Sequence, residues 1–488
     1  MKNFSPWLAL LAGSILPLAF SPFGIYSLAF ISPAALCYLW IKSTSKQAAW
    51  CGFYFGLGFF GVGMSWISIS IHNFGNVSIW LTWLVTIGFS AFLSLFFVLQ
   101  GYLFQRITAR KSLIIQCLCA FPALWLFSEY LRSTLLTGLP WLLLGYSQTA
   151  SFLQGFAPII GTYGLSLCVT LVSGSLILCI LSRSLTDRLI ALCVLFIILI
   201  PAWLLYGQVW TKPIGKTFKT TLVQGNFDQF LKWDAHTLQT ILDTYLQLSE
   251  ENVDSQLIVW PEAAIPYYPS QLVSYIDIIN QLGIDNNITF LVGAPTFDKT
   301  TKRYFNSLLM LGEQKKQYNK HHLVPFGEYT PWDSVINRFL ASFSIPMSNF
   351  SAGGAQQGIL SNGDLKIAPF ICYEIIYPQY VIRHSQLSDI LVVINDDGWF
   401  GGSIALAQHL QMAQMAALET NRYVLFCSNT GITAIIDPLG KVSKTAPINT
   451  RTVVSGNVHS MSENTPLMSS GYWPIAITTV ILMLMSLL

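Results

Sequence analysis

The sequence predicts a polytopic α-helical membrane bundle of about eight spans joined to an α/β layered sandwich domain. Composition is the first reason: 53% of the 488 residues are hydrophobic and only 10% are charged, against about 25% charged in ordinary soluble domains. Charge distribution is the second. Up to residue 208 there are nine Lys or Arg and two acids, Glu129 and Asp187; beyond it there are seventeen basic and twenty-one acidic residues. The third is a change of pattern near Phe218, where long apolar stretches give way to short β-rich runs separated by helical segments. The expected organisation is a transmembrane domain over 1–208, a globular domain over 209–470 and a last span over 471–488.

A helix crossing the hydrocarbon core needs about 20 mainly apolar residues. Candidate stretches are 6–23, 25–41, 48–71, 79–104, 113–127, 159–181, 189–206 and 472–488, of which the second and fifth are short for a full crossing. Lys and Arg mark cytoplasmic loops. Lys2, Lys42, Lys46, Arg106, Arg110, Lys111, Arg183 and Arg188 all fall on one side of that arrangement. Both termini are therefore expected in the cytoplasm and residues ~208–470 outside it, on the periplasmic side of an inner membrane. The start of the chain, basic and then apolar, also fits a cleaved signal peptide, although it has no clear A-x-A site.

Glu129 and Arg132 break the apolar pattern. Charges near a bilayer are costly unless paired. Three residues apart on a helix, they fit either a local ion pair at the interface or a functional element. Trp141, in the nearby Gly138-Leu139-Pro140-Trp141, fits an aromatic interfacial turn lining a route for lipid.

In the globular part the expected strands are 219–224, 257–260, 289–293, 307–311, 366–371, 390–394, 423–428, 433–436 and 453–458, with helices over 236–250, 269–281 and 404–420. Strands and helices so mixed point to layered α/β packing. No dense basic stripe marks a nucleic-acid surface. Of nine cysteines, seven lie in the apolar part and behave as small hydrophobes. Cys372 and Cys427 form no CxxC pair, so neither a zinc site nor a redox motif is indicated. Cys427 reads as core, with a disulfide to Cys372 as the rival.

Three residues could carry chemistry. Cys372 ends the apolar run Ile367–Ile371, where a turn into a helix would expose it, lower its thiol pKa and supply oxyanion donors. Glu262 ends Leu257-Ile258-Val259-Trp260-Pro261, where desolvation would raise its pKa toward that of a general base. Lys320, in Tyr318-Asn319-Lys320-His321-His322-Leu323-Val324-Pro325-Phe326-Gly327-Glu328, could stabilise an oxyanion. Taken singly, each has an ordinary reading: a core cysteine, a surface glutamate, a solvated lysine.

Together, WPE ending in Glu262, NKHHLVPFGE containing Lys320 and ICYE containing Cys372 resemble the carbon–nitrogen hydrolase (nitrilase) superfamily, which uses a Glu–Lys–Cys triad. Glu328 matches a second glutamate beside that triad, and 395–400 (NDDGWF) matches another segment near the site. The apolar half narrows the resemblance. Gly61-Val62-Gly63-Met64-Ser65-Trp66-Ile67, residues 137–142 (TGLPWL), Gln224-Gly225-Asn226 and Lys232-Trp233-Asp234 resemble the apolipoprotein N-acyltransferase family, membrane-embedded members of that superfamily.

The resemblance implies a nitrilase-like sandwich and a two-step acyl transfer. A fatty acyl group would pass from a membrane phospholipid, typically phosphatidylethanolamine, to the sulfur of Cys372, and then to the α-amine of a diacylglyceryl-cysteine on a lipoprotein. It also implies supporting roles for Trp233, Tyr373 and Glu374, and no cofactor or metal; nothing demands more than a monomer. A membrane-tethered amidase acting on small soluble substrates would share the triad and is the alternative. Beyond Glu328, Trp332, Val335, Ile336, Phe339, Leu340 and Phe343 keep helical spacing. They read as a packed helix face or as a lid admitting lipid chains, with Phe339 and Phe343 the candidate lipid contacts.

Overall fold

The computed structural model describes residues 5–75, 77–331, 349–354 and 357–488. Phe339 and Phe343, and with them the expected lid, lie outside the described residues. The chain forms two compact units. One comprises residues 5–69, 78–208 and 469–488, and the other residues 70–77 and 209–468. The short stretch Ser70–Val77, expected within or beside the third span, groups with the α/β unit.

The first unit is helical: α1 (Pro6–Ile15), α2 (Leu28–Ile41), α3 (Ser45–Gly63), α4 (Ile67–Gly75, which runs on into the second unit), α5 (Ile79–Thr108), α6 (Phe121–Thr134), α7 (Ala157–Leu181), α8 (Leu185–Leu205), and a helix near the C-terminus, Trp473–Leu487. Among the described residues, three helical segments are long and apolar enough to cross a membrane: Ile79–Thr108, Phe152–Leu181 and Leu185–Leu205. The single span expected over 48–71 is instead two helices, α3 and α4, bent by 57°. The sequence explains the break. Gly61 and Gly63 weaken the helix, and Ser65 and Ser68 hydroxyls donate to the Val62 and Ser65 carbonyls at the bend. The helices Pro6–Ala19, Leu28–Ile41 and Trp473–Leu487 are apolar but shorter than a full span.

Small residues let α3 and α5 touch backbone to backbone. A Cβ on Gly52 would fall 2.1 Å from the Phe97 carbonyl oxygen, and one on Gly56 2.8 Å from Ser94 Cα. Such contact supplies the dispersion that replaces the hydrophobic effect between helices in lipid. Along α5 the hydroxyls of Thr86, Ser90 and Ser94 each donate to the carbonyl four residues earlier, so they are satisfied within the helix.

The second unit holds twelve strands among the described residues, in two six-stranded sheets ordered β12-β1-β2-β3-β4-β5 and β11-β10-β9-β8-β7-β6. The strands are β1 (Lys212–Gln224), β2 (Leu257–Val259), β3 (Thr289–Asp298), β4 (Arg303–Leu311), β5 (Lys316–Asn319), β6 (Leu360–Asn362), β7 (Leu365–Ile371), β8 (Ile390–Asn395), β9 (Val424–Ser428), β10 (Ala434–Ile436), β11 (Val442–Thr445) and β12 (Thr452–Ser462). In each sheet three central strands are parallel, β1-β2-β3 and β7-β8-β9, flanked by antiparallel partners.

Alternate residues of both sheets meet in one core, with Leu222, Val259, Leu291 and Met310 from the first packing with Ile371, Val392, Ile394 and Leu425 from the second. The outer face of the first sheet is covered by α9 (Leu238–Glu250) and α10 (Val273–Asn286), through Ile241, Tyr245 and Ile279 against Ile258, Trp260 and Phe290. Two further helices, α11 (Pro378–Ser385) and α12 (Ile404–Thr420), accompany the second sheet, and His409 of α12 packs edge-on against Phe426 of β9. The result is a layered α/β sandwich built on two six-stranded sheets. In such an arrangement ligands bind beyond the carboxyl ends of parallel strands.

Candidate active site

The site is built where those strands end. After β2, Trp260-Pro261 carries the chain over β3 to Glu262. Gly293 of β3 permits this crossing, because a Cβ there would lie 2.2 Å from the Pro261 carbonyl oxygen and 2.8 Å from Glu262 Cα. After β5 comes Lys320. After β7 comes Cys372, in left-handed backbone at φ 51°. That conformation costs a non-glycine residue about 1–3 kcal/mol and persists only where its surroundings enforce it.

Lys320 is buried, and its Nζ donates to Glu262 Oε1 at 3.3 Å and Glu328 Oε1 at 2.9 Å. Asn306 Nδ2, on neighbouring β4, donates to the same two oxygens at 2.6 and 2.9 Å. The remaining oxygens face backbone: Glu262 Oε2 accepts the Asp396 N–H at 3.1 Å, and Glu328 Oε2 the Val324 N–H at 2.8 Å. Burial disfavours the Lys320 ammonium, but the Glu262 and Glu328 carboxylates outweigh it and hold its pKa well above the ordinary lysine value.

Cys372 is half-buried. Burial pushes its thiol well above the usual range, Glu262 pushes the same way, Lys320 opposes, and Asp397 and Glu328 add to the rise. This corrects the expectation that the turn would lower the thiol pKa. Burial and the neighbouring carboxylates outweigh the Lys320 charge here, so the resting sulfur carries its proton and needs a base. Cys427 is free and buried between the sheets, its Sγ 3.3 Å from the Val259 carbonyl oxygen. The rival Cys372–Cys427 disulfide is not formed.

Glu374 stands behind the reacting groups. It is fully buried and accepts hydrogen bonds from the N–H groups of His321 (2.6 Å), His322 (3.2 Å) and Ile371 (2.8 Å) and from the Tyr318 hydroxyl (2.8 Å). It therefore ties the backbone beside Lys320 to the backbone beside Cys372. Burial raises its pKa from 4.5 to about 7. The Tyr373 ring packs edge-on against Tyr377 at 5.3 Å. Trp233 closes a short helical turn, and its side chain is about half exposed.

Other expected site residues sit elsewhere in the fold. Glu129 and Arg132, in the helical unit, are both buried. Arg132 donates to the carbonyls of Leu139 (2.7 Å), Trp141 (2.5 Å) and Leu142 (3.4 Å), while Glu129 Oε1 accepts the Trp125 indole N–H (3.0 Å) and the Leu144 N–H (2.7 Å). Each braces the segment 139–144, a structural use that the i,i+3 spacing did not reveal. Trp141 is buried, its ring 4.9 Å from that of Trp66.

Several residues at the site had not been singled out. Lys232 Nζ donates to the Glu262 carbonyl oxygen at 3.0 Å and to Asp396 Oδ2 at 2.5 Å, both partners being buried. Asp397 Oδ1 faces His409 Nδ1 at 2.9 Å. Lys232, Asp396 and Asp397 lie inside the motifs above; Asn306 and His409 stand beside other polar residues, Ser307 and Gln408, and nothing local marks them. Within the same unit, Ser70 Oγ donates to the Trp399 carbonyl at 2.7 Å, and Phe74 packs against Trp399 (4.6 Å) and Phe230 (5.2 Å). Among the described residues no three His, Cys, Asp or Glu are placed to hold a metal ion.

Comparison with known proteins adds independent information. Residues 219–466 match a family model described as carbon-nitrogen hydrolase, and residues 12–175 one described as the apolipoprotein N-acyltransferase N-terminal domain. The apolipoprotein N-acyltransferase of Coxiella burnetii is 44% identical over 481 residues, 99% of each chain. That of Pseudomonas aeruginosa is 38% identical over 489 residues, 99% of this chain and 95% of the other. Among solved structures, Saccharomyces cerevisiae Nit3, a member of branch 10 of the nitrilase superfamily, aligns at 18% identity and a TM-score of 0.39. It covers 51% of this chain and 92% of its own. With relatives matching over almost its full length and a family model on each half, the chain belongs to the apolipoprotein N-acyltransferase family.

Proposed function

We propose that the protein N-acylates lipoproteins in a bacterial inner membrane, taking the acyl chain from a phospholipid through a thioester on Cys372. The observation that carries this reading is the buried Lys320 held between Glu262 and Glu328, with Cys372 beside them on a strained turn. A protonated thiol next to a carboxylate suits base-assisted attack.

In the first step Glu262 takes the thiol proton as sulfur attacks the ester carbonyl of the donor, phosphatidylethanolamine being the expected lipid. Lys320, kept cationic, stabilises the oxyanion together with the backbone N–H that follows Cys372. Losing one such donor typically costs about 10²–10³ in rate. Glu262 returns its proton to the departing lysophospholipid oxygen. In the second step the α-amine of a diacylglyceryl-cysteine attacks the thioester, Glu262 accepts the amine proton, and the thiol re-forms as the amide leaves. A thioester lies above an amide in free energy, so no nucleotide is required. Glu328 and Asn306 hold Lys320 and Glu262 in register.

The expected topology is eight crossings with both termini cytoplasmic and the α/β unit periplasmic, acting as a monomer. Incubating the purified protein with phosphatidylethanolamine vesicles and a diacylated lipopeptide tests the function. Triacylated peptide is the expected product; hydrolysis of soluble amides without it would favour the amidase alternative.

A further inference from the structure

His409 lies on α12, is 1% exposed, and has an acceptor at each ring nitrogen. Nδ1 faces Asp397 Oδ1 at 2.9 Å, and Nε2 faces the backbone carbonyl oxygen of Cys372 at 3.2 Å. A carbonyl oxygen can only accept, so Nε2 carries a hydrogen. The contact between Nδ1 and Asp397 Oδ1 then fixes the orientation of the ring. The second-sheet residues Ile394 and Ile371 are paired in register, which sets β8 and the turn carrying Asp397 beside the end of β7.

We propose that His409, oriented by Asp397, is a positioning residue that fixes the peptide plane following Cys372 and so aims both the sulfur and the Tyr373 N–H at the acyl group. The reasoning is geometric. A trans peptide is planar, and its C=O and N–H point in opposite directions. Holding the Cys372 carbonyl from the α12 side therefore sets where the Tyr373 N–H points. A hydrogen bond to the C=O of a peptide also polarises that peptide's N–H as a donor. The left-handed φ of Cys372 needs such enforcement. The neighbouring Asp396 gives the other half of the arrangement, its N–H holding Glu262 Oε2. Adjacent aspartates thus brace the base directly and the nucleophile through a histidine. The inference deepens the thioester reading and rests on it.

The test uses the full-length protein in phospholipid, with His409→Leu (no donor), His409→Gln (a neutral N–H donor) and Asp397→Asn. Three quantities are read: the rate of acyl adduct formation on Cys372, its dependence on lipid concentration, and the pH profile of Cys372 alkylation by iodoacetamide. The thiol is surrounded by Glu262, Lys320, Glu328, Asp397 and His409, so each variant is compared with wild type over the same pH range. Expected is a loss of roughly tenfold to a thousandfold in maximal acylation rate for H409L. Half-saturating lipid should stay within about threefold, at least part of the rate should return in H409Q, and the alkylation profile should move in H409L and D397N. Should H409L fail to accumulate, H409Q and the isosteric D397N carry the test. Acylation and alkylation unchanged in the variants, or a loss confined to lipid affinity, would overturn the proposal. If wild type itself forms no adduct, the thioester reading fails, and the alkylation profiles alone decide the positioning role.

Discussion

Glu374 Oε1 accepts the N–H of His321 at 2.6 Å, so a carboxylate two residues past Cys372 grips the backbone immediately after Lys320. Its folded pKa is raised from 4.5 to about 7 by burial. A carboxyl raised in this way stabilises the fold fully below its unfolded pKa and loses that contribution as pH rises through the folded value. Between about pH 4.5 and 7, wild type should therefore lose up to about 3 kcal/mol of stability from this group. Glu374→Gln cannot ionise and should remove that slope, while starting less stable by about 1–3 kcal/mol because its amide NH₂ meets a backbone N–H. Thermal unfolding in detergent across this range checks it; parallel wild-type and E374Q curves would count against the assignment.

Lys320→Met should leave Glu262 and Glu328 facing each other without the ammonium. Breaking a buried charge network from one side costs about 3–5 kcal/mol, and the loss should be smaller at low pH, where one carboxylate takes a proton. Acylation should fall at least about a hundredfold. Lys320→Arg should not restore it, since a planar fork cannot replace a compact ammonium between two oxygens. Unfolding midpoints and adduct formation measured on both variants check this.

Asn306 binds the same two carboxylate oxygens as Lys320. Asn306→Ala should slow acylation by about tenfold to a hundredfold through loosened geometry. Asn306→Asp should be worse, because it adds a third carboxylate. Single-turnover rates at fixed lipid distinguish the two, and equal rates would contradict the role.

Arg132→Leu should act on folding and not on chemistry. It removes hydrogen bonds to three carbonyls of the segment 139–144. The yield of folded protein and its melting temperature should drop, while acylation per folded molecule stays within a few-fold. A selective loss of lipid turnover at full stability would return Arg132 to a functional role.

The sequence made the sheets legible wherever strands are central and apolar. The three strands that escaped, Lys316–Asn319, Leu360–Asn362 and Val442–Thr445, are short edge strands with polar residues, where half-exposed backbone needs no apolar run. The helix Pro378–Ser385 escaped because its eight residues make little more than two turns, too short a run for its buried face, Val381, Ile382 and Ser385, to stand out. Motifs brought Glu262, Lys320, Glu328 and Cys372 to attention because their chemistry is compressed into short strings. Asn306 and His409 act through single hydrogen bonds across the fold, and no local pattern encodes such partners. The Glu129–Arg132 spacing likewise gave no sign of the partners they hold, which lie in a segment seven to fifteen residues away.

The most direct test is intact-mass analysis of the protein isolated from membranes. A fatty-acyl adduct on Cys372, released by neutral hydroxylamine and missing from Cys372→Ser, is the predicted result. Lipopeptide N-acylation that persists in Cys372→Ser, or an adduct that survives hydroxylamine, would contradict it.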